Sequence, residues 1–212
     1  MRRILGGAVV LAAAATMIAA GVTVASADDS QPLASSSLVV NEVATSGPNG
    51  ELDEFVEIVN VSSQTVKLAQ NFQVRIYNAQ NAQYKTILFP ANTVLQPSGS
   101  VQSVIVLTGP DFSGTIQRGV QVVPYVLDLP AGIPDDGAVL ISTNNNARVD
   151  GVAFSASVPA IAREGQPARA TANLPVVDPT RYVSAARDVL STDTDDNMLD
   201  FSLHTATPGD LN

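Results

Sequence analysis

From Leu38 onward, apolar residues recur in short runs separated by turn residues. Leu38–Val43 is an apolar run of strand length, followed by the Gly-, Pro- and Asn-rich loop Thr45–Asp53. Phe55, Glu57 and Val59 alternate with Val56, Ile58 and Asn60, a period of two that predicts a strand with one wetter face. Both faces carry apolar groups, so either Phe55 and Val59 or Val56 and Ile58 could point to the core. Glu54 and Glu57 are then expected at solvent or at a sheet edge. Further strands are predicted at Thr65–Leu68, Phe72–Asn78, Tyr84–Phe89, Val101–Leu107 and Val120–Leu129, with a short apolar patch at Val94-Leu95. Ala138–Ser142 and Val149–Phe154 read as a hairpin across Thr143–Arg148, and Ala156–Arg163 as the last regular strand. Gly165–Arg187 contains Pro167, Pro175 and Pro179 and has little periodicity, so an irregular surface excursion is expected there. His204 falls in what reads as an irregular tail.

No window of twelve residues in this region shows an amphipathic helical stripe. Short strands at this spacing predict an all-β chain, an antiparallel sandwich of about seven to nine strands over roughly 38–212. The segment before it reads differently. Met1-Arg2-Arg3 is a short positive end, Ile4–Val24 is almost wholly apolar, and Ala25-Ser26-Ala27 has the small-x-small form of a cleavage site. Residues 1–27 are therefore expected to be a signal peptide and 28–37 a flexible lead. The competing reading is a retained anchor, since Ile4–Val24 is long enough to span a bilayer. Without cysteine there is no lipidation site of the lipoprotein kind, and the last residues carry no apolar tail. A secreted protein, with no membrane attachment after cleavage, is the expectation.

Loss of Arg2 and Arg3 with the leader leaves nine basic residues against twenty acidic ones, a formal charge of −11 on 185 residues. Such a field disfavours nucleic acid and anionic lipid as partners. Enzyme motifs are missing. There is one histidine, no cysteine, no G-x-S-x-G, no phosphate-binding glycine loop and no H-E-x-x-H. Glu54 and Glu57 lie three apart on a predicted strand and should point to opposite faces, a poor arrangement for two carboxylates acting on one bond. No enzyme, no catalytic residue and no cofactor is expected.

Two polar sets invite chemistry. Asn41 and Asn60 are expected at strand ends, where an amide satisfies loose backbone groups. Asp193, Asp195 and Asn197 occupy alternate positions, as oxygen ligands do around calcium. Met198 and His204 stand where a helix-loop-helix calcium loop needs glycine and glutamate, so that motif is rejected. The other reading of the turn is purely structural, with acids accepting backbone hydrogen bonds and Arg187 pairing nearby; no metal site is assigned. Tyr77, Tyr84 and Tyr125 are the candidates for one sugar-stacking face in a chain without tryptophan.

The two ends of the chain resemble the lamin-tail domain as it occurs in secreted bacterial proteins. The first block is Asn41-Glu42, Asp53-Glu54-Phe55-Val56-Glu57-Ile58, Asn60, and Val66 with Leu68. The second is an arginine (Arg163 or Arg187), then Thr192, Asp193, Asp196-Asn197, Asp200-Phe201 and Thr207-Pro208-Gly209. The family's usual tryptophan after the first block is absent, with Phe72 nearby. The resemblance implies an immunoglobulin-like antiparallel β-sandwich over 38–212 with an irregular insertion at about 165–187. It implies a non-catalytic structural or interaction module whose partner is an extracellular or cell-surface protein. The alternative is a carbohydrate- or protein-binding module, calcium-stabilised through Asp193–Asn197.

Overall fold

The computed structural model describes residues 37–80, 82–126, 132–169 and 181–211. The expected signal peptide and flexible lead lie outside the described residues. The fold is all-β with several, mainly antiparallel sheets. A six-stranded sheet has the order β12-β11-β1-β2-β7-β8. Its members are β1 (Leu38–Ala44), β2 (Phe55–Asn60), β7 (Val104–Thr108), β8 (Gln121–Pro124), β11 (Val183–Ala186) and β12 (Ser202–Thr205). A four-stranded sheet has the order β10-β9-β4-β5 and contains β4 (Phe72–Tyr77), β5 (Gln83–Leu88), β9 (Ala138–Thr143) and β10 (Arg148–Ala153). The two-residue strands β3 (Val66–Lys67) and β6 (Val94–Leu95) pair separately.

One apolar cluster draws on both larger sheets. Val40, Val56, Ile58, Ile105 and Leu107 come from the six-stranded sheet, and Val74, Ile76, Val139, Ile141 and Val152 from the four-stranded one. Val56 and Ile58 thus face this main core. Phe55 and Val59 are no less buried, but they lie in separate small clusters on the opposite face. β2 therefore has no wet face, and every one of its residues is buried.

Several expectations need correction. The described residues form twelve strands, not seven to nine. The β7–β8 pair is parallel. Val101–Ser103 is a turn of 3-10 helix capped by Ser100, whose side chain accepts from the Gln102 amide, so β7 starts only at Val104. Ala156–Arg163 is no strand: Pro159, which cannot donate to a ladder, leads into a 3-10 turn at Ala160–Ala162. The expected excursion Gly165–Arg187 contains β11, paired with β1 on one side and β12 on the other. His204 lies in β12, an edge strand, instead of an irregular tail. The hairpin of β9 and β10 forms as expected, with Asn146 in the left-handed region at φ 65° in its turn.

Two bulges decide where acids point. In β1, Val40 pairs with Ile58 and Glu42 with Glu57, so Asn41 is an extra residue. Without it Glu42 would follow Leu38 and Val40 into the main core. With it, Val43 takes the core position and Glu42 turns to the outer face. In β10, Val149 is the extra residue, since Arg148 pairs with Ser142 and Asp150 with Ile141. That shift gives Asp150 the same face as Ile141 and Val152, towards the other sheet.

Candidate functional site

Arg187, directly after β11, is fully buried. Its Nε donates to the Val40 carbonyl at 2.9 Å. Nη1 donates to the Thr192 carbonyl at 2.7 Å and to Asp200 Oδ2 at 2.9 Å. Nη2 donates to Asp150 Oδ1 at 3.1 Å. The guanidinium carbon sits 4.6 Å from the Phe201 ring centroid. Its own backbone N–H donates to the Asn41 carbonyl. The β1 bulge is thus where Arg187 grips the sheet, and Asp150 completes the grip by accepting from the Val40 amide at 2.5 Å. A buried charge is tolerated only with partners of this kind.

The closing block supplies most of the rest. Asp200 also accepts from the Thr194 amide and hydroxyl. Asp193 lies 3.4 Å from Arg187 Nη1, and Asp195 lies 3.4 Å from Arg148 Nη2. Asp196 caps the single helical turn α1 (Asn197–Asp200) through the Met198 amide. Asn197 is buried and bridges three segments: its Oδ1 accepts from Ala153 and Glu164 amides, and its Nδ2 donates to the Gly151 carbonyl and Glu164. Of the two arginines open in the sequence, Arg187 holds this centre. Arg163 is half-buried and donates to the Ala156 carbonyl.

Burial works against the charge on Arg187, but Asp150, Asp193 and Asp200 outweigh it and hold its pKa above the ordinary value. Burial raises Asp150, with Arg187 opposing. Burial, then Asp150 and Asp193, push Glu164 up to about 9, so Glu164 keeps its proton at neutral pH. Carboxylate oxygens of Asp150, Glu164 and Asp193 lie within 4.8 Å of one another, close enough to hold a metal ion. Yet Arg187 nitrogens stand 3.1 Å from Asp150, 3.8 Å from Glu164 and 3.4 Å from Asp193. The guanidinium stands where a cation would stand. Asp193 is the member of Asp193–Asn197 whose carboxylate enters this set; Asp195 pairs with Arg148, and Asn197 touches the set through Glu164.

A second carboxylate centre lies on the outer face. Glu42 and Glu57 are cross-strand partners, both fully buried. Glu42 accepts from the Ser184 hydroxyl and from the Thr207 amide at 2.9 Å. Glu57 accepts from Asn41 Nδ2 at 2.8 Å and from the Gly209 amide at 2.5 Å. Burial first, then Glu42, push Glu57 up to about 8.

Asp53 and Glu54 hold loops. Asp53 accepts from the Asn49 amide and from both the amide and hydroxyl of Ser113. Glu54 accepts from the Ile133 amide, and burial raises it to about 7. The expectation that Glu54 and Glu57 meet solvent or a sheet edge is therefore wrong. β2 is an interior strand; Glu54, just before it, is covered by the Ile133 loop and Glu57, within it, by the segment at Gly209.

Asn60 meets its expectation, donating to the Gln64 and Gln96 carbonyls and accepting from Ser62. Asn41 does not sit at a strand end; it is the bulge residue, and its amide serves Glu57. Tyr77 and Tyr125 are buried in two different apolar clusters and offer no common stacking face. Sequence reading missed Asp150, Glu164 and Glu42 as site members. Their signal, a lone acid inside an apolar run in Glu42 and Asp150, was present in LVVNEVA and RVDGVA.

Val189, Leu190, Met198 and Leu199, on either side of the acidic turn, are exposed apolar side chains. Val189 also lines a shallow surface groove of about 300 Å³ with Val101, Val104 and Leu211. Among the described residues no helix is long and apolar enough to cross a membrane. Neither family models nor curated proteins give a match to this chain.

Proposed function

We propose that the chain is a secreted, non-catalytic interaction module of the lamin-tail type, its two larger sheets forming an immunoglobulin-like sandwich. The observation that carries this reading is where the two ends of the chain meet. Asn41-Glu42 and Glu57 from the first block are bound by Arg187, Thr207 and Gly209 from the second. Members of both blocks thus meet in one hydrogen-bonded network. The Glu42 and Glu57 carboxyls and the Arg187 guanidinium are spent on internal partners, which suits a scaffold. Exposed Val189, Leu190, Met198 and Leu199 give that scaffold apolar contact points, which favours a protein as the partner. The leader, with its Ala25-Ser26-Ala27 signal, supports export.

The test is affinity capture with the mature chain from residue 28, using secreted and surface proteins of the source cells. Retention of a protein that is lost when Leu190 and Leu199 become Ser is expected. Turnover of polysaccharide, peptide or phosphoester substrates, abolished by Glu57→Gln or Asp193→Asn, would replace this reading with an enzymatic one. N-terminal sequencing of the exported protein should find Asp28 first.

A further inference from the structure

We propose that residues 206–210 act as a proton-held strap: the segment stays closed over the outer face of β1 and β2 while the Glu42–Glu57 pair retains one proton, and it opens when that proton is lost.

Geometry carries the inference. Glu42 and Glu57 are directly opposed in one buried layer. Opposed like charges repel, and in a buried layer water does not screen them. One proton between them removes that conflict. The donors fall into two kinds. Ser184 and Asn41 belong to strands. The Thr207 and Gly209 amides belong to a segment without strand pairing. Its other contacts include the Thr207 hydroxyl on Glu42 at 3.4 Å, the Ala206 amide on the Tyr182 carbonyl and the Gln117 amide on the Pro208 carbonyl at 3.4 Å. A second charge in the layer needs water, and the strap is the cover that can yield to admit it.

The Gly209 and Asn41 hydrogen bonds favour the ionised Glu57, but burial and Glu42 outweigh them. Asp210, on the strap itself, raises Glu57 further. Tyr182, beside Phe55, is itself raised by burial and by surrounding acids, Glu42 among them. β7 presents the neutral Val106 opposite Glu57. On β12, His204 is the cross-strand partner of Ser184 and is exposed. The loop over Gly209 presents the neutral Ile116, Gln117 and Val120, while its Arg118 is exposed. Gly209 has φ 90°, and an added Cβ would come within 3.1 Å of all three, so closure is shaped around glycine.

Amide hydrogen exchange of the mature chain, corrected for intrinsic rates, tests the strap. In the wild type the Thr207 and Gly209 amides should lose protection by at least about tenfold between about pH 6 and about pH 10, following one ionisation. The Ile58 and Ile105 amides should hold theirs. Glu57→Gln, which cannot ionise, should keep the strap protected across the range. The proposal is overturned if Thr207 and Gly209 stay protected in the wild type, if Ile58 and Ile105 open with them, or if Glu57→Gln loses protection to the same extent. Should that variant fail to fold, the wild-type comparison of strap and core amides still decides.

Discussion

Glu42 stands opposite Glu57 because Asn41 is one residue too many in β1. The same extra residue frees the Val40 and Asn41 carbonyls for Arg187. One bulge therefore places an acid pair on the outer face and an arginine on the inner side.

Arg187 is the strongest single test of this arrangement. Arg187→Met would leave Asp150, Asp193 and Asp200 without their cation. The expected loss is about 3–5 kcal/mol in denaturant-unfolding stability. Arg187→Lys should recover little, because an ammonium cannot span the Val40 carbonyl, Asp150 and Asp200 as the planar fork does. A lysine variant with the wild-type midpoint would show that charge alone suffices.

Buried carboxyls set a pH dependence whose sign is unusual for an acidic protein. Glu57 at about 8 and Glu164 at about 9 lie above the ordinary value of 4.5. The folded state then holds protons that the unfolded state has already released. Their contribution to stability is full below pH 4.5, falls as pH rises, and is gone above their folded values. Melting temperatures of Glu57→Gln and Glu164→Gln should decline less steeply over that window than the wild type. Parallel curves for all three proteins would contradict the assignment.

Much of the strand framework was legible. FVEIVN and FQVRIY carry a period of two that survives into β2 and β4. The acids misled because a polar residue in a half-buried strand reads as solvent-facing, whereas Glu57 faces a layer closed by Gly209, 152 positions away. Strand β11 was hidden for a different reason. Its sequence VSAA offers only small side chains, and Ala185 is its one residue in the main core, so no amphipathic pattern exists to find. Bulges at Asn41 and Val149 are invisible to alternation, since each reverses the parity that alternation counts.

Calcium should change little. The three carboxylates within reach of one ion already surround Arg187, so a cation would have to displace a buried guanidinium. Melting in calcium and in chelator is expected to agree within about 1–2 °C, a shift worth well under 1 kcal/mol. Asp193→Asn with Asp195→Asn should lower stability equally in both. A calcium-dependent rise of many degrees, lost in the double variant, would show that the ion can win.

Aromatic truncation separates the two faces of the large sheet. Phe55 packs edge-on against Phe112 and Tyr182 on the outer face, and Phe201 lies in the main core against Arg187. Each change to alanine should cost roughly 3–5 kcal/mol. Phe201→Ala should be non-additive with Arg187→Met, while Phe55→Ala should be additive with it, as a double-mutant cycle would show.

Seven carboxylates, those of Glu42, Asp53, Glu54, Glu57, Asp150, Glu164 and Asp200, are withdrawn from the surface. A formal charge of −9 counts every one of them. Glu57 and Glu164 among them keep their protons at neutral pH, so in an electric field or on an anion exchanger the native molecule should behave as a weaker anion than its composition suggests. Unfolding in urea should raise its retention as Glu57 and Glu164, which burial holds protonated, ionise in water.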